Sequence, residues 1–423
     1  MIKWLISASL RAGRIVVTNY AIKAVDILLP ELEKAFFEDR WQIRHSAVEL
    51  VGTMMYQLVG INRHPAAEDE LGEEEATETQ RAALGEVLGM ERRDRILSAL
   101  YIARQDVAGT VRTTATQVFK TLVSNPQKTV REMLPTLTNM IVKNLASADN
   151  ERRQSSARSL ADIVRKFGQN TLADLLPVLR EGICSHDPLH VQGICIALVE
   201  IMSSASRENL EGFQSILCDS VREALQYPNH EVQTAAAIAF DALQQQFPSK
   251  AIDNILPSLL RQLESVTESE SEIALSALRE VMRGRSNIRI LGNLLPSLTA
   301  PPISAVNARA LSSLAEAAGD AIYPRLEYIL QALMDSLFVG DPESRDVLTE
   351  SFKVIILSVD TDEGIRIVLT ALLSSLKARS FLNIANPSMR MLIDVLLRLL
   401  KQEISSRRLV KISHVTLVNG QLH

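Results

Sequence analysis

The sequence contains few of the residues on which β-rich folds and small secreted domains depend. Aromatic residues make up 4% of its 423 residues, and its three cysteines form no Cys-x-x-Cys pair. β-Sheets favour aromatic and β-branched side chains, and secreted domains favour paired cysteines. We therefore expect a helical protein from a reducing, intracellular compartment. A compact core rarely exceeds roughly 250–300 residues, so the length predicts several domains or an elongated repeat array.

The motifs that usually carry catalysis or cofactor binding are also missing. The sequence has no G-x-G, Walker A or G-x-S-x-G stretch, which argues against the enzymes that use these loops. Cys184, His186, His190 and Cys195 are close in sequence, but their spacing is not that of a zinc site. The sequence therefore predicts no enzymatic activity, no cofactor and no metal. Its net charge of −5 argues against nucleic-acid binding over the whole surface and leaves room for local basic patches.

What the sequence does contain is a unit of about 40 residues that recurs along the chain, which is typical of helical-repeat proteins. Each unit aligns on one packing position, which is small in every unit but the last. A first step of 68 residues is followed by steps of 42, 38, 41, 41, 33, 41 and 42 residues. The packing positions are Ala47, Ala115, Ala157, Cys195, Ala236, Ala277, Ala310, Ser351 and Ile393. A proline recurs in the other half of most units, at Pro30, Pro135, Pro177, Pro257 and Pro296.

This unit resembles a HEAT repeat, in which D-x-x-x-(V/I)-R-x-x-A leads into the second of two helices; residues 39–47, DRWQIRHSA, fit it. The proline bends the first helix, and an Asp or Pro opens the second. The small residue lets two helices approach to about 8–10 Å. One helical pair cannot bury its apolar face alone, so pairs stack. We expect an all-α fold, a right-handed α-solenoid of about nine to ten HEAT repeats, in which Asp39 and Arg44 belong to a ladder of contacts between units.

Two segments interrupt the pattern and set the expected boundaries. Residues 62–80 carry seven acidic residues and almost no apolar ones, so they are predicted to form a loop. This loop would serve either to keep the protein soluble or as an acidic docking segment. After residue 401 no further helix pair is completed. The sequence thus predicts HEAT units at 1–61, an acidic, disordered insertion loop at 62–90, a HEAT-repeat solenoid at 91–401 and a divergent tail at 402–423.

Basic residues cluster in the third full unit, in ERRQSSARSLADIVRKFG. With Ala157, Leu160, Ala161 and Val164 facing inward, Arg158 and Arg165 lie on one outward stripe. Arg152 and Lys166 flank the opposite edge of that exposed side. These four cations form either a solvated face or a patch that binds a phosphate backbone or an acidic protein. No aromatic residue interleaves with them, so stacking on single-stranded bases is not expected.

A second basic spot consists of Arg92, Arg93 and Arg95. It lies next to the acidic insertion in the sequence. We expect it to neutralise that insertion.

Several long stretches resemble one family in particular. They include LGMERRDRILSALYIARQD, DIVRKFGQNTLADLLPVLREGI and LTAPPISAVNARALSSLAEAAGDAIY. These stretches are similar to the very large HEAT-repeat translational activator of the general-control, amino-acid-starvation pathway. The similarity runs from about Ile15 to about Lys377 and includes the position of the acidic insertion. Family members are several times longer than this chain, so the resemblance implies a partial chain.

The resemblance implies a cytoplasmic, non-enzymatic scaffold that binds ribosomes and helps to activate the initiation-factor-2α kinase. The kinase contact would lie at the end of this chain or in regions beyond it. The resemblance implies other protein partners, with no membrane and no sequence-specific nucleic acid.

Two alternatives stay open. One is a generic HEAT-repeat adaptor, similar to a transport receptor or a phosphatase scaffold. The other is an enzyme on a helical-repeat fold, such as a base-repair glycosylase. The net charge and the presence of only Trp4 and Trp41 as tryptophans argue against the second.

Overall fold

The computed structural model describes residues 2–60, 84–284, 287–339 and 342–378, together with residues 390, 393–395 and 397. Within these ranges the regular elements are helices. The predicted tail at 402–423 and residues 62–83 of the predicted insertion lie outside the described residues.

The helices alternate between two positions in a series of helical pairs. The first helices are α1 (Ile2–Ala35), α3 (Met90–Ala103), α5 (Pro126–Leu145), α7 (Gln169–Ile183), α9 (Gln214–Leu225), α11 (Pro248–Leu263), α13 (Asn287–Leu298), α15 (Tyr323–Val339) and α17 (Asp362–Ala378). The second helices are α2 (Trp41–Leu58), α4 (Gly109–Leu122), α6 (Asn150–Phe167), α8 (Pro188–Ser204), α10 (His230–Gln246), α12 (Glu268–Met282), α14 (Ala305–Ala318) and α16 (Pro342–Leu357). One-turn helices occupy Arg207–Leu210, Glu211–Phe213 and Gly319–Ile322.

The chain divides into two compact units, residues 1–224 with 245–247, and residues 225–244 with 248–423. In the first unit, the first helix of one pair packs on the first helix of the next pair, as α3 does on α5. The second helices of neighbouring pairs also pack on each other, as α2 does on α4 and α6 on α8. The second unit repeats this arrangement, with α11 on α13, α12 on α14 and α14 on α16. Each unit is therefore a two-layer stack of helical hairpins, and the predicted all-α solenoid class is confirmed.

The repeat positions read from the sequence lie on the expected helices of each pair. The recurring prolines lie inside first helices of the pairs. The packing positions from Ala47 to Ser351 are buried and lie on second helices. Asp149 caps α6 by accepting from the amides of Glu151 and Arg152, and Asp187 caps α8 in the same way. Asp39 differs, because α2 begins without a side-chain cap.

The predicted boundary of the insertion at residue 90 is too late. Residues 84–88 form a helical turn directly before α3. Leu84 and Leu88, one turn apart, are 3% and 6% exposed. Burial of these two side chains on one face explains why this end of the segment is helical.

Among the helices that the structure describes, none has both the length and the hydropathy that a span of the bilayer requires.

Candidate functional site

A buried arginine links three successive helical pairs of the first unit. Arg44 is 5% exposed, and its guanidinium donates to both carboxylate oxygens of Asp106 at 2.7 and 2.9 Å. It also donates to Glu151 at 2.7 Å. Burial disfavours the charged guanidinium, but the hydrogen bonds to Asp106 and Glu151 outweigh burial and raise the pKa of Arg44. The predicted ladder therefore exists, although the partner carboxylates belong to the following pairs.

The same arginine position also fastens the turn that precedes its helix. Arg44 donates to the main-chain carbonyls of Glu38 and Asp39. Arg112 bonds the carbonyls of Asp106 and Val107, and Arg153 bonds those of Ser147 and Ala148. Each arginine thus reaches the fifth and sixth residues before it. The packing residue follows this arginine by three positions, as Ala47 follows Arg44 and Ala115 follows Arg112. In the third unit that residue is the buried Ser156, one residue before the Ala157 assigned from the sequence.

The inward face predicted for α6 is confirmed, and the four predicted binding residues separate into different environments. Ala157, Leu160, Ala161 and Val164 are at most 4% exposed. The side chain of Arg158 is 38% exposed and faces Glu200 of α8 at 3.7 Å. The remaining cations, Arg165, Lys166 and Arg152, have different partners.

Arg165 and Lys166 converge on one buried carboxylate. Lys166 Nζ donates to Asp162 at 2.6 Å, and the Arg165 guanidinium contacts the other oxygen. The Tyr101 hydroxyl of α3 donates to Asp162 at 2.7 Å. Burial disfavours the ionised carboxyl, but the hydrogen bonds from Lys166 and Tyr101 lower the pKa of Asp162 below its ordinary value of 3.8. The charged groups of these two exposed side chains are therefore held in place by Asp162.

We predict that Asp162→Asn lowers the free energy of unfolding by about 1.5–3 kcal/mol at pH 7, because hydrogen bonds to a charged group are lost. The folded pKa is depressed, so the carboxylate stabilises fully above pH 3.8 and loses this effect as pH falls through the folded pKa. The difference between wild type and variant should narrow below about pH 4. Urea unfolding at several pH values measures it. A difference that stays constant down to pH 3 would contradict the assignment.

The control is Glu200→Gln, which removes the half-exposed partner of Arg158. Partly exposed ion pairs contribute about 0–1 kcal/mol. The control should therefore change stability little.

Arg152 lies in a groove rather than on the outward face. Its Nε donates to Asn144 Oδ1 at 2.9 Å, and its guanidinium carbon lies 4.8 Å from the centre of the Phe37 ring. Burial lowers the pKa of Arg152, against the attraction of Asp149, Asp39 and Glu38. The groove, about 780 Å³ in volume, runs across α1, α3 and α5. Arg152 thus does not share a surface with Arg165 as predicted from spacing.

The second basic spot pairs with carboxylates of the described helices, while the acidic residues of the insertion that it was expected to neutralise lie outside the described residues. Arg92 pairs with Asp26, Arg93 with Asp94 and Glu132, and Arg95 with Glu33 at 3.0 Å. These carboxylates lie on α1, α3 and α5. In the part of the chain that the structure describes, the three arginines therefore join neighbouring helices.

The cysteines are packed as thiols. Cys195 and Cys218 are buried, and Cys184 is exposed. Burial raises the pKa of Cys195 to about 12. Across the described ranges, no three His, Cys, Asp or Glu side chains are arranged as metal ligands.

The sequence is similar to a known family and to proteins of known name. Residues 290–386 match the family model described as "Stalled ribosome sensor GCN1-like, HEAT repeats". Over 88% of its length the chain is 42% identical to the eIF-2-alpha kinase activator GCN1 of Saccharomyces cerevisiae. The chain is a homologue of GCN1. The predicted family is thereby confirmed.

Other GCN1 proteins are similar over the same part of the chain. The stalled ribosome sensor GCN1 of Homo sapiens is 39% identical over 88% of this chain. The eIF-2-alpha kinase activator GCN1 of Dictyostelium discoideum is 38% identical over 77%. The chain spans 14% of the length of the yeast and human GCN1 and 12% of the Dictyostelium protein.

Solved structures resemble this GCN1 homologue only loosely. The crystal structure of Kap121p bound to Pho4p covers 92% of this chain and 43% of its own, at 18% identity and a TM-score of 0.38. An engineered protein covers 94% and 96%, at 18% identity and a TM-score of 0.29. These scores are too low to support an argument about function.

Proposed function

We propose that this chain is a non-enzymatic scaffold segment of translational control, which associates with ribosomes and contributes to activation of the initiation-factor-2α kinase in the cytoplasm. The observation that carries the proposal is the 38–42% identity to GCN1 proteins over most of the chain. Their names state kinase activation in yeast and Dictyostelium and sensing of stalled ribosomes in human.

The architecture supports a mechanism based on geometry rather than chemistry. Stacked helical pairs present a long surface whose side chains are held by helices. Such a surface can bind two partners at once and raise the local concentration of one beside the other. Arg44 links three successive pairs of the first unit, and Arg112 and Arg153 fasten the turns before their own helices. Both features hold the surface in a fixed shape, which suits this role.

We propose the exposed cations Arg158, Arg165 and Lys166 of α6 as part of the ribosome-facing surface, with Arg152 as a residue of the neighbouring groove. Arg165 is the most exposed of the four, at 62% of its side chain. Because Asp162 already holds one end of Arg165 and Lys166, these side chains lose less conformational freedom on binding than free surface cations do.

Co-sedimentation with ribosomes over a salt series tests the proposal. The wild-type chain should pellet with ribosomes at low salt and be released as salt rises. Arg158→Glu/Arg165→Glu should weaken pelleting at least severalfold. If the double variant pellets like wild type, the scaffold stands and the α6 surface is wrong. If the wild-type chain stays in the supernatant at low salt, this segment has no ribosome affinity of its own.

The control is Arg180→Glu/Arg222→Glu. It reverses the same number of charges on α7 and α9, outside the α6 surface, where Arg180 pairs with Glu223 at 3.5 Å and Arg222 pairs with Asp219 at 2.8 Å. It should pellet like wild type.

A further inference from the structure

Two arginines that lie against the rings of Tyr101, Phe119 and Phe167 have no carboxylate partner among the described residues. Arg104 follows the last turn of α3, and Arg131 lies in the first half of α5. Their recorded contacts are with aromatic rings. Their guanidinium groups therefore keep hydrogen-bond donors that no anionic side chain of the described residues occupies.

Aromatic rings connect these arginines to Lys166 and to the residue that follows it. The guanidinium carbon of Arg104 lies 5.2 Å from the centre of the Tyr101 ring and 4.7 Å from that of Phe119. Lys166 Nζ lies 5.4 Å from the same Tyr101 ring. Arg131 lies 5.7 Å from the ring of Phe167, the residue after Lys166. We call Arg104, Arg131, Arg165 and Lys166 the basic cluster.

The cluster carries more positive charge than the fold needs. Two of its four cations, Arg165 and Lys166, bond the buried carboxylate of Asp162, and the other two have no carboxylate within ion-pair distance among the described residues. The stretch from Val107 to Arg131 contains no Asp or Glu and carries two exposed cations, Lys120 and Lys128, of which Lys128 pairs with the next residue along, Glu132. The cluster is thus a local positive surface on a chain whose net charge is −5.

We propose that the basic cluster binds the phosphate backbone of RNA. This proposal rests on the proposed function, because it names the chemical part of the ribosome that this surface contacts. Arginine favours phosphate oxygens because its planar guanidinium donates two parallel hydrogen bonds. Stacking on Tyr101 and Phe119 fixes the orientation of Arg104 before a ligand arrives.

Recognition at this surface is independent of base sequence. Tyr101 and Phe119 are each 1% exposed, so their rings hold the cations and cannot stack on bases. Binding to phosphates alone depends on salt with a slope of about −0.9 per contact, or about −3.6 for four contacts. Raising salt from about 50 to 200 mM should then weaken binding on the order of 100-fold.

Fluorescence anisotropy with a short labelled RNA duplex of arbitrary sequence tests this. Arg104→Gln/Arg131→Gln removes two of the four contacts and should bring the salt slope to about −1.8. Affinity at 100 mM salt should fall on the order of 50-fold. Arg131→Gln alone, at an exposed position, should change the slope by about 1 and guards against misfolding of the double variant.

The control is Arg180→Gln/Arg222→Gln, which removes the same charge from arginines that pair with Glu223 and Asp219 outside the cluster. It should keep the wild-type slope. An unchanged slope in both Arg104→Gln/Arg131→Gln and Arg131→Gln overturns the proposal. A polyglutamate peptide that competes with the duplex at equal concentration also overturns it, since the surface would then fit an acidic protein.

The two proposals can fail separately. Ribosome pelleting without binding to the duplex leaves the scaffold function and removes the RNA contact. Duplex binding that depends on Arg104 and Arg131, without ribosome pelleting, keeps the RNA contact and removes the ribosome assignment.

Discussion

Replacing Arg44 by alanine is expected to lower the free energy of unfolding of the first unit by about 3–5 kcal/mol, the cost of breaking a buried ion pair from one side. Asp106 is 4% exposed and accepts two hydrogen bonds from Arg44. Without the guanidinium its carboxylate would remain buried with the Ala108 amide as a donor. The carbonyls of Glu38 and Asp39 would lose their donor as well.

Urea unfolding followed by circular dichroism measures this loss, and hydrogen exchange locates it. Exchange should rise first in α2 and α4. Glu151→Ala is the matched control, because the Glu151 side chain is 47% exposed and its removal should cost about 0–1 kcal/mol. Arg44→Ala/Asp106→Ala should cost less than the sum of its single variants. Equal, small effects of Arg44→Ala and Glu151→Ala would show that the buried pair contributes little.

The second large effect is expected at Gly193, where α8 meets the end of α5. A Cβ at this position would lie 2.0 Å from the carbonyl oxygen of Leu145 and 2.8 Å from its carbonyl carbon. Because both atoms belong to the main chain, no side-chain rotation can make room. Gly193→Ala must therefore move the two helices apart, at a cost of about 1–3 kcal/mol or more.

The control for this variant is Gly292→Ala in α13. A Cβ there would meet nothing within 4 Å. Alanine is better than glycine inside a helix by roughly 0.5–1 kcal/mol, so this variant should be as stable as wild type or more stable. Thermal unfolding of both variants gives opposite shifts if the contact is as described. A Gly193→Ala protein that melts with the wild type would mean that α5 and α8 separate at no cost.

Much of the fold follows from the sequence because helical repeats carry local signals. A proline, a turn with Asp or Asn and a small residue recur in order, and each has a nearby physical reason. The predictions were wrong where another interaction outweighed the local sequence pattern. Arg153 rather than Gln154 fastens its turn, which moves the packing position by one residue to Ser156. Leu84 and Leu88 are buried, although the acidic residues before them in the sequence predicted a solvent-exposed loop.

The candidate site was less predictable because its contacts join residues far apart in the chain. Arg44 reaches Asp106 and Glu151, and Tyr101 reaches Asp162. The helical stripe of α6 correctly gave Arg158 and Arg165 as outward residues. The helical stripe could not show that Arg152 lies in a groove against the ring of Phe37. Nor could it show that Lys166 lies against Tyr101, an aromatic residue of another helix. In the sequence, nothing distinguishes Arg104 and Arg131 from other surface arginines. Their contacts with Tyr101, Phe119 and Phe167 are visible only in the structure.

The arginine ladder also implies a gradient of stiffness along the chain. In the first unit, bending one helical pair against the next must stretch charged hydrogen bonds of Arg44. In the second unit, Gln233 occupies the corresponding position and holds the carbonyls of Leu225 and Ile273 with a neutral amide. Later helical pairs of the second unit have Ala274, Asn307 and Leu348 there. Neutral hydrogen bonds and apolar contacts are weaker than charge-assisted hydrogen bonds. The second unit should therefore bend more easily than the first when the protein is stretched or wraps around a partner.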